Sequence, residues 1–294
     1  MEIRTLRAFV EVVRQGGFSQ AAKTIFSTQS TVSKAVRQLE DEIGTRLLDR
    51  IGHRSTLTVA GEVVYRRAVR ILAERESLMA ELDDLRGLKR GMLRLGLPPI
   101  GSSTLFAPLF AIYRNRHPSI DIRLAEHGSD RLEEILHVGE IDLAASLLPV
   151  SDEFEWQEVR REPLVALLQT DHALAAKASI NLAELKDQPF LLFESGFALN
   201  RIIVDACRRA GVEPSVAARS SQIDFIVELA AAGLGIAFLP RMIAEQRSHP
   251  AVRHVTLVDP GTEWHIAMIW RRGAYLSHAA KAWLALTREF HSGD

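Results

Sequence analysis

The stretch that decides the fold is Phe18-Ser19-Gln20-Ala21-Ala22-Lys23-Thr24-Ile25-Phe26-Ser27-Thr28-Gln29-Ser30-Thr31-Val32-Ser33-Lys34-Ala35-Val36-Arg37-Gln38-Leu39-Glu40. It contains two helical patterns on either side of a short polar break. Ser19 is placed to cap the first helix, and Thr28 offers a hydroxyl that can cap the second. A helix, a tight turn and a second helix with a polar start form a helix-turn-helix layout.

The two faces of the second predicted helix differ in chemistry. Its inner face carries apolar residues at helical spacing: Val32, Ala35, Val36 and Leu39. Its start and outer face carry the candidate DNA-binding side chains: Thr28, Gln29, Ser30, Thr31, Ser33, Lys34 and Arg37. Hydroxyl and amide groups read base edges, whereas Lys and Arg contact phosphates. The competing interpretation is a three-helix bundle whose polar face is simply solvated.

The segments on either side complete a small domain. Upstream, Glu2–Gln15 is predicted to be an amphipathic helix that ends at Gly16-Gly17. Downstream, Gly44 should stop the third helix, and Gly52 sits in a loop between two short apolar segments. The basic residues of this loop, Arg50, His53 and Arg54, predict a β-wing that lies along a phosphate backbone or in a minor groove. We therefore expect a winged DNA-binding domain over residues 1–60.

A long helix is predicted next, from Thr58 to about Leu88. Its apolar positions, with one arginine, follow a 4-3 spacing: Val64, Ala68, Ile71, Arg75, Leu78, Leu82 and Leu85. Such a heptad seam favours a two-stranded coiled coil, although a helix packed on its own domain is the alternative. Residues 61–88 are therefore expected to be a linker and dimerisation helix, followed by a hinge over Gly87–Gly91.

The rest of the chain alternates between strand and helix patterns. Strands are predicted at 92–97, 120–126, 141–147, 164–169, 190–193, 215–219, 235–239, 252–257 and 265–270, and helices at 102–114, 132–137, 199–210, 222–232 and 277–291. This alternation predicts parallel sheets covered by helices, in an α/β domain over residues 91–294. Subdomain I is expected at about 91–162 plus 266–294, and subdomain II at about 163–265.

Composition and charge restrict the class of protein. The chain of 294 residues is 47% hydrophobic, which is typical of a globular protein with two or three domains. Residues 1–90 contain 16 Lys+Arg and 12 Asp+Glu, whereas residues 91–294 contain 20 and 25, so the basic part comes first. The single cysteine, Cys207, excludes a disulfide framework. With no signal peptide and no membrane-spanning apolar run visible, we expect a cytoplasmic protein without membrane contacts.

Several motifs together resemble the LysR-type transcriptional regulators. They are Leu6-Arg7-Ala8-Phe9, Gly17-Phe18-Ser19-Gln20-Ala21-Ala22, Thr28-Gln29-Ser30-Thr31-Val32-Ser33, Leu39-Glu40, Gly44, Leu47-Leu48, Leu57-Thr58-Val59-Ala60-Gly61, Gly139-Glu140-Ile141-Asp142-Leu143-Ala144 and Gly233-Leu234-Gly235-Ile236-Ala237-Phe238-Leu239-Pro240. The resemblance covers essentially the whole chain. Ser30 departs from the proline common in the family, and Ser27 from an apolar residue. Pro98-Pro99-Ile100-Gly101 and Ser221-Gln222-Ile223-Asp224-Phe225 further resemble the subgroup that includes CidR.

The resemblance carries its own expectations. It implies that the outer face of the third helix meets DNA with Thr28 as cap, that the linker helix dimerises, and that dimers pair into a homotetramer. A homodimer should read an interrupted inverted repeat in double-stranded DNA. RNA polymerase is a further candidate partner. The C-terminal domain is expected to be similar to type 2 periplasmic binding proteins.

A ligand in such a fold belongs at the carboxyl ends of the strands, between the two subdomains. The candidate effector-binding residues are Pro99, Ser102, Ser103, Gly128, Ser129, Leu147, Phe193, Ser195 and Phe197. Hydroxyls and free N–H groups at helix starts suit an anion, and the apolar members suit a carbon skeleton, so we expect a small organic acid. Each serine taken alone would be an ordinary helix cap.

Enzyme signatures are absent from the sequence. Gly233-Leu234-Gly235 lacks the third glycine of a dinucleotide fingerprint and precedes a strand. The ten histidines show no metal-ligand spacing, no nucleophile elbow occurs, and Cys207 sits among apolar residues of a helix. We predict a ligand-responsive, sequence-specific transcriptional regulator without a cofactor. The alternative is a cytoplasmic small-molecule-binding protein or enzyme whose helical N-terminus only dimerises.

Overall fold

The computed structural model describes residues 1–51, 54–86 and 90–291. Two compact units are present: Met1–Leu88 with His137–Glu140, and Lys89–Leu136 with Ile141–Asp294. Gly52 and His53 of the predicted wing lie outside the described residues, as do Gly87, Leu88 and Lys89 of the predicted hinge and the side chains of Arg50 and Arg54.

The first unit begins with three short helices around one apolar core. They are α1 (Ile3–Arg14), α2 (Phe18–Thr24) and α3 (Gln29–Ile43). Phe9 and Leu39 are fully buried, and Ala21 is small enough to let α1 and α3 approach α2. Gly44 ends α3 in the left-handed region that favours glycine, as the sequence predicts.

A two-stranded wing follows the three helices. Strand β1 (Leu48–Ile51) pairs antiparallel with β2 (Arg54–Leu57), with Leu48 opposite Leu57. The carboxylate of Glu40 on α3 holds the start of the wing, because its Oε1 accepts from the backbone N–H of Leu47 at 2.8 Å and of Leu48 at 3.3 Å. This bond fixes the wing to the C-terminal half of α3.

Helix α4 (Val59–Leu85) begins at the predicted cap, where the Thr58 hydroxyl accepts from the Gly61 N–H at 2.9 Å. Its predicted seam divides into two parts. Ala68 is 1% exposed and packs with Val64 into the core of its own unit, which is the alternative expected for this first part. Leu78 and Leu85 are 56% and 79% exposed, which leaves the second part free for a partner.

The second unit begins with a parallel sheet. Strand β3 (Gly91–Leu97) lies between β4 (Ile120–Glu126) and β5 (Leu143–Leu147), all parallel. The predicted helix at 102–114 is two helices in the structure, α5 (Ser102–Leu105) and α6 (Ala107–Arg116), because Pro108 near the start of α6 lacks an N–H for a continuous helix. Helix α7 (Ser129–Val138) packs on Ala144 of β5 in a separate apolar cluster.

The second half of this unit repeats the pattern. Its strands are β7 (Ser179–Ile180), β8 (Pro189–Phe193), β9 (Ser215–Ser220), β10 (Ile236–Pro240) and β11 (Val252–Leu257). Its helices are a 3-10 turn at Leu182–Leu185, α8 (Ala198–Arg209), α9 (Ile223–Ala231) and α10 (Arg241–Gln246). Strand β8 pairs parallel with both β9 and β10.

Two long strands join the halves. Strand β6 (Phe154–Gln169) pairs antiparallel with β12 (Glu263–Arg271) through its first part and with β10 and β11 through its second. The strand order is therefore β4-β3-β5-β12-β6-β10-β8-β9, and α11 (His278–His291) packs beside β6. The prediction of parallel sheets is wrong for this centre, because antiparallel β6 and β12 make the sheet mixed. No helix among the described residues is long and apolar enough to cross a membrane.

Candidate nucleic-acid interface and effector cleft

Three hydroxyls organise the start of α3. The Thr28 Oγ1 accepts from the Thr31 N–H at 3.2 Å, which confirms the predicted cap. The same oxygen lies 2.9 Å from Ser30 Oγ and 2.8 Å from Thr31 Oγ1. Both bonds centre on the Thr28 hydroxyl, which therefore restrains the rotamers of Ser30 and Thr31 at the start of the helix.

The predicted cap of α2 is wrong. Helix α2 begins two residues earlier than expected, with Gly17 as its N-cap and no side-chain cap hydrogen bond. Ser19 lies inside the first turn, and its hydroxyl donates instead to Gln29 Oε1 on α3 at 3.2 Å. The two helices of the motif are thus joined by their polar side chains as well as by their apolar ones.

The turn between α2 and α3 is closed by a strained residue. Phe26 adopts a φ of 52°, in the left-handed region, and its side chain is 97% exposed. A non-glycine residue there costs about 1 kcal/mol or more. The Ser27 N–H donates to the Ala22 carbonyl at 2.8 Å, so the backbone closes the turn with serine at this position.

Exposed cationic side chains lie along the outer face of α3. Lys34 and Arg37 are exposed, and among the described residues neither forms an ion pair. An unpaired surface cation keeps its full charge for a polyanion. Of the predicted DNA-binding residues, Gln29 and Ser30 are exposed, and Thr31 and Ser33 are half-buried.

The polar side chains that follow β3 already form hydrogen bonds with other groups of the chain. The Ser102 hydroxyl donates to the Pro98 carbonyl, and the Thr104 hydroxyl donates to Gln246 Oε1 at 2.6 Å. Ser103 is exposed and Pro99 half-buried. The helix that starts here, α5, has four residues, so the predicted anion site would depend on side chains rather than on a helix dipole.

Two other predicted loops do meet. A Cβ added to Gly128 would lie 2.5 Å from the Gly196 carbonyl oxygen, and that oxygen accepts from the Asp130 N–H at 3.3 Å. The loops after β4 and β8 therefore touch backbone to backbone. Ser129 is buried beside this contact, and Ser195 is exposed.

The predicted apolar wall lies deeper than expected. Phe193 and Phe197 stack with ring centroids 5.4 Å apart. Phe193 is 2% exposed and Leu147 is 3% exposed, so both belong to the core beneath the loops. Asn200 fixes this segment, since its side chain bonds both the N–H and the carbonyl of Phe193.

One polar pair near these loops was not predicted. The hydroxyl of Ser146, on β5, is fully buried and donates to Glu133 Oε1 on α7 at 2.6 Å. Burial raises the pKa of the Glu133 carboxyl, and the bond from Ser146 and the charge of Arg201 oppose that rise only in part. Arg201, on α8, also lies 3.8 Å from Asp130 on α7. A serine within the apolar strand Leu143–Leu147 was the available sequence signal.

Cys207 has the environment expected of an inert thiol. Its side chain is fully buried, and burial raises the pKa of the thiol to about 11. A thiol with that pKa is almost entirely protonated at neutral pH, and the thiolate is the reactive form.

A winged helix-turn-helix unit, followed by a long helix and a two-lobed α/β unit, defines a class of one-component regulators. Models of two protein families match the chain: the bacterial regulatory helix-turn-helix protein, lysR family, over residues 3–62, and the LysR substrate binding domain over residues 86–292. The chain belongs to the LysR family of transcriptional regulators, which are regulators rather than enzymes.

Similar proteins agree with this assignment. The uncharacterized HTH-type transcriptional regulator YwbI of Bacillus subtilis is 36% identical over 99% of this chain and 97% of its own length. The HTH-type transcriptional regulator BudR of Raoultella terrigena is 35% identical over 92% of this chain and 95% of its own. A full-length OxyR variant from Pseudomonas aeruginosa shares the fold, with a TM-score of 0.77 at 24% identity over 98% of this chain and 95% of that one.

Proposed function

We propose that this regulator binds an interrupted inverted repeat in duplex DNA through α3 and the wing, as a homodimer or homotetramer, and that a small organic molecule controls it. The observation that carries the DNA-binding proposal is the start of α3. There, exposed Gln29 and a bonded hydroxyl cluster precede Lys34 and Arg37, which have no acidic partner among the described residues. This is the chemistry that base edges and phosphates require.

Roles within this interface are proposed residue by residue. Gln29, Ser30, Thr31 and Ser33 would face bases, with Thr28 holding the helix start. Lys34 and Arg37 would meet phosphates. Arg50 and Arg54, whose side chains lie outside the described residues, would extend the contact along the backbone from the wing.

Gel-shift or anisotropy titration on the DNA upstream of its own gene tests the roles. Gln29→Ala should relax preference for one base pair, whereas Arg54→Ala should weaken binding to every duplex about equally and reduce the salt dependence. Thr24→Ala, which removes a hydroxyl bonded only to the backbone of its own helix, is the matched control. Salt-insensitive or sequence-independent binding by the wild type would overturn the proposal.

Dimerisation is proposed for the second part of α4. Its exposed apolar residues on the 4-3 spacing are Ile71, Leu78, Leu82 and Leu85, and Met79 is exposed next to Leu78. Placing glutamate in this seam with Leu78→Glu should shift the molecular mass in light scattering toward the monomer, since two buried charges would face each other. Ser77→Glu adds the same charge outside the 4-3 spacing and should leave the mass unchanged. Equal behaviour of both variants would contradict this seam.

An effector cleft in the second unit is proposed from the loops that meet there. The Gly128–Gly196 contact, exposed Ser195 and Phe197 stacked on Phe193 supply a polar rim over an apolar floor. Half-exposed Arg201 adds a cation, which supports a small organic acid. Pro99, Ser102 and Ser103 would form the opposite wall. Binding would act by favouring one arrangement of subunits over another.

A thermal-shift screen tests the ligand class. Short carboxylates should raise the unfolding midpoint in proportion to the logarithm of their concentration, and the matched amides should not. Arg201→Gln should abolish the difference between acid and amide. If acids and amides shift the midpoint equally, the ligand is not recognised as an anion.

Four finer statements belong to this proposal. RNA polymerase is a proposed partner at the promoter, and the cytoplasm is the proposed location because chromosomal DNA lies there. Domain boundaries are proposed at residues 1–60, 61–88 and 91–294, with subdomain I at about 91–162 plus 266–294 and subdomain II at about 163–265. Membership of the CidR-like subgroup remains a prediction.

A further inference from the structure

Ser19 and Gln29 form a side-chain pair that joins the two helices of the motif. Their residues are ten positions apart in sequence, and both side chains are exposed. An exposed hydroxyl would satisfy itself with water at no cost, so the fold does not need this bond. Its effect falls on the direction of the Gln29 carboxamide.

A carboxamide has two different ends. Its oxygen accepts hydrogen bonds and its nitrogen donates two. In the structure the Ser19 hydroxyl donates to Oε1 of Gln29, so the oxygen is turned toward α2 and Nε2 is left for a ligand. Glutamine recognises adenine by using both ends at once, accepting from N6 and donating to N7. Oε1 has a second lone pair, but the bond from Ser19 holds the oxygen toward α2, and this direction disfavours that bidentate pair.

We propose that Ser19 is a positioning residue that makes Gln29 a hydrogen-bond donor, so that the regulator reads a base with acceptors in the major groove. Guanine presents O6 and N7, and thymine presents O4. This inference rests on the proposed function, in which Gln29 faces DNA. At 3.2 Å the Ser19–Gln29 bond is long for a hydroxyl donor, so it biases the amide rather than locking it.

Neighbouring groups leave this orientation undisturbed. The hydroxyls of Ser30 and Thr31 each bond to Thr28 Oγ1 rather than to the amide of Gln29. Helix α2 does not use Ser19 as a cap, since its N-cap is Gly17. Removing the Ser19 hydroxyl should therefore free the amide without unfolding the helix.

Selection from a random duplex library with the full-length chain tests the proposal, with base frequencies read by sequencing. Gln29→Ala identifies the base pair that Gln29 reads, as the position where preference disappears. At that position the wild type should favour guanine or thymine. Ser19→Ala should shift preference toward adenine by about fivefold or more, as expected when a bidentate pair becomes available. Ser19→Thr, which retains the hydroxyl, should restore the wild-type preference.

Controls separate positioning from general damage. Thr24→Ala should leave every base frequency unchanged, and affinity for non-specific duplex DNA should be equal in all Ser19 variants. Replacing guanine with 7-deazaguanine at the Gln29 position should weaken wild-type binding if guanine is the selected base. With thymine selected, replacement by 2-thiothymine should have no effect and by a base lacking O4 should weaken binding.

The outcomes distinguish the two proposals. A wild type that enriches no sequence would overturn the DNA-reading function itself. If the wild type enriches a motif but Ser19→Ala selects the same base as the wild type, DNA reading stands and the positioning role fails. A wild-type preference for adenine at the Gln29 position, or a Gln29→Ala variant with unchanged preferences, would also overturn the positioning role.

Discussion

Gly61 is the position in the first unit where a single methyl group should do the most damage. An ideal Cβ there would lie 2.0 Å from the carbonyl oxygen and 3.0 Å from the carbonyl carbon of Leu47, and 3.1 Å from Leu57 Cδ2. The first two atoms are backbone and cannot rotate away. That carbonyl also accepts from the Thr58 N–H at 3.0 Å, so moving it breaks the bond that joins the wing to the start of α4.

Two destabilising effects and one stabilising effect set the change in the free energy of unfolding. Overpacking costs about 1–3 kcal/mol. Loss of the Thr58–Leu47 hydrogen bond costs about 1 kcal/mol. Alanine in a helix gains about 1 kcal/mol over glycine. We expect Gly61→Ala to lower the free energy of unfolding of the first unit by about 1–3 kcal/mol, which is roughly 5–15 °C in midpoint for a unit of this size.

Two spectroscopic probes report on different units. All four tryptophans, Trp156, Trp264, Trp270 and Trp283, belong to the second unit, whereas far-ultraviolet circular dichroism also detects the helices of the first. Gly61→Ala should lower the midpoint of the dichroism transition and leave the tryptophan fluorescence transition unchanged. Val63→Ala, at an exposed site on the same helix, is the matched control and should stay within about 0.5 kcal/mol. A dichroism midpoint equal to or above that of the wild type would show that helix propensity outweighs the clash.

Three further outcomes are expected in the second unit. Gly128→Ala should lower the tryptophan-detected stability by about 1–3 kcal/mol, because its Cβ would lie 2.5 Å from the Gly196 carbonyl oxygen; an unchanged transition would show that the two loops separate freely. Burial raises the pKa of Glu133 in the folded chain, so the stability that this carboxyl contributes is full below its ordinary pKa of 4.5 and is lost as pH rises through the raised pKa. Glu133→Gln should therefore flatten the pH dependence of urea unfolding just above pH 4.5. Parallel profiles for the variant and the wild type would exclude this role. With a thiol pKa of about 11, Cys207 should react with a thiol reagent at pH 8 only as fast as the chain unfolds, and rapid labelling of the native chain would contradict its burial.

Local patterns predicted much of the first unit. The helix starts and stops depend on residues near in sequence, such as Thr28 as a cap and Gly44 as a stop, and the structure confirms both. The partner of Ser19 was not predictable in this way, because it depends on the angle at which α2 meets α3. That angle is set by the left-handed Phe26 and by packing around Ala21, neither of which has a periodic signature.

Strand positions in the second unit were predicted better than strand directions. The bounds of β11 match the expectation: Val252, Val255 and Leu257 are buried and the residues between them are more exposed. Only the part of strand β6 from Leu164 onward was predicted. Its first part, Phe154–Pro163, carries so many charged residues that its buried side is hard to recognise. Whether neighbours run parallel or antiparallel depends on the path of the chain between them, which side-chain periodicity does not encode.

The residues of the candidate cleft were also predicted only in part. Switch-point reasoning led to Gly128 and Phe197, whose loops do come together, but it also selected Leu147 and Phe193, which are core residues. Residues at the ends of strands are exposed on average, but an individual side chain there can still point into the core. Glu133 was missed because an acid on the outer part of a helix is usually solvated, and only the partner Ser146 gives it a buried role.

The seam of α4 shows how one sequence period can serve two surfaces. A 4-3 spacing keeps side chains on one stripe of a helix, but it does not say what the stripe touches. In the structure Ala68 fills the core of its own unit while Leu78, ten residues later on the same stripe, is 56% exposed. A larger side chain at Ala68 should therefore lower the stability of the first unit through overpacking, whereas a charge at Leu78 should act on self-association alone. If Ala68→Leu changed the mass in light scattering without changing the unfolding midpoint, the division of the stripe into these two surfaces would be refuted.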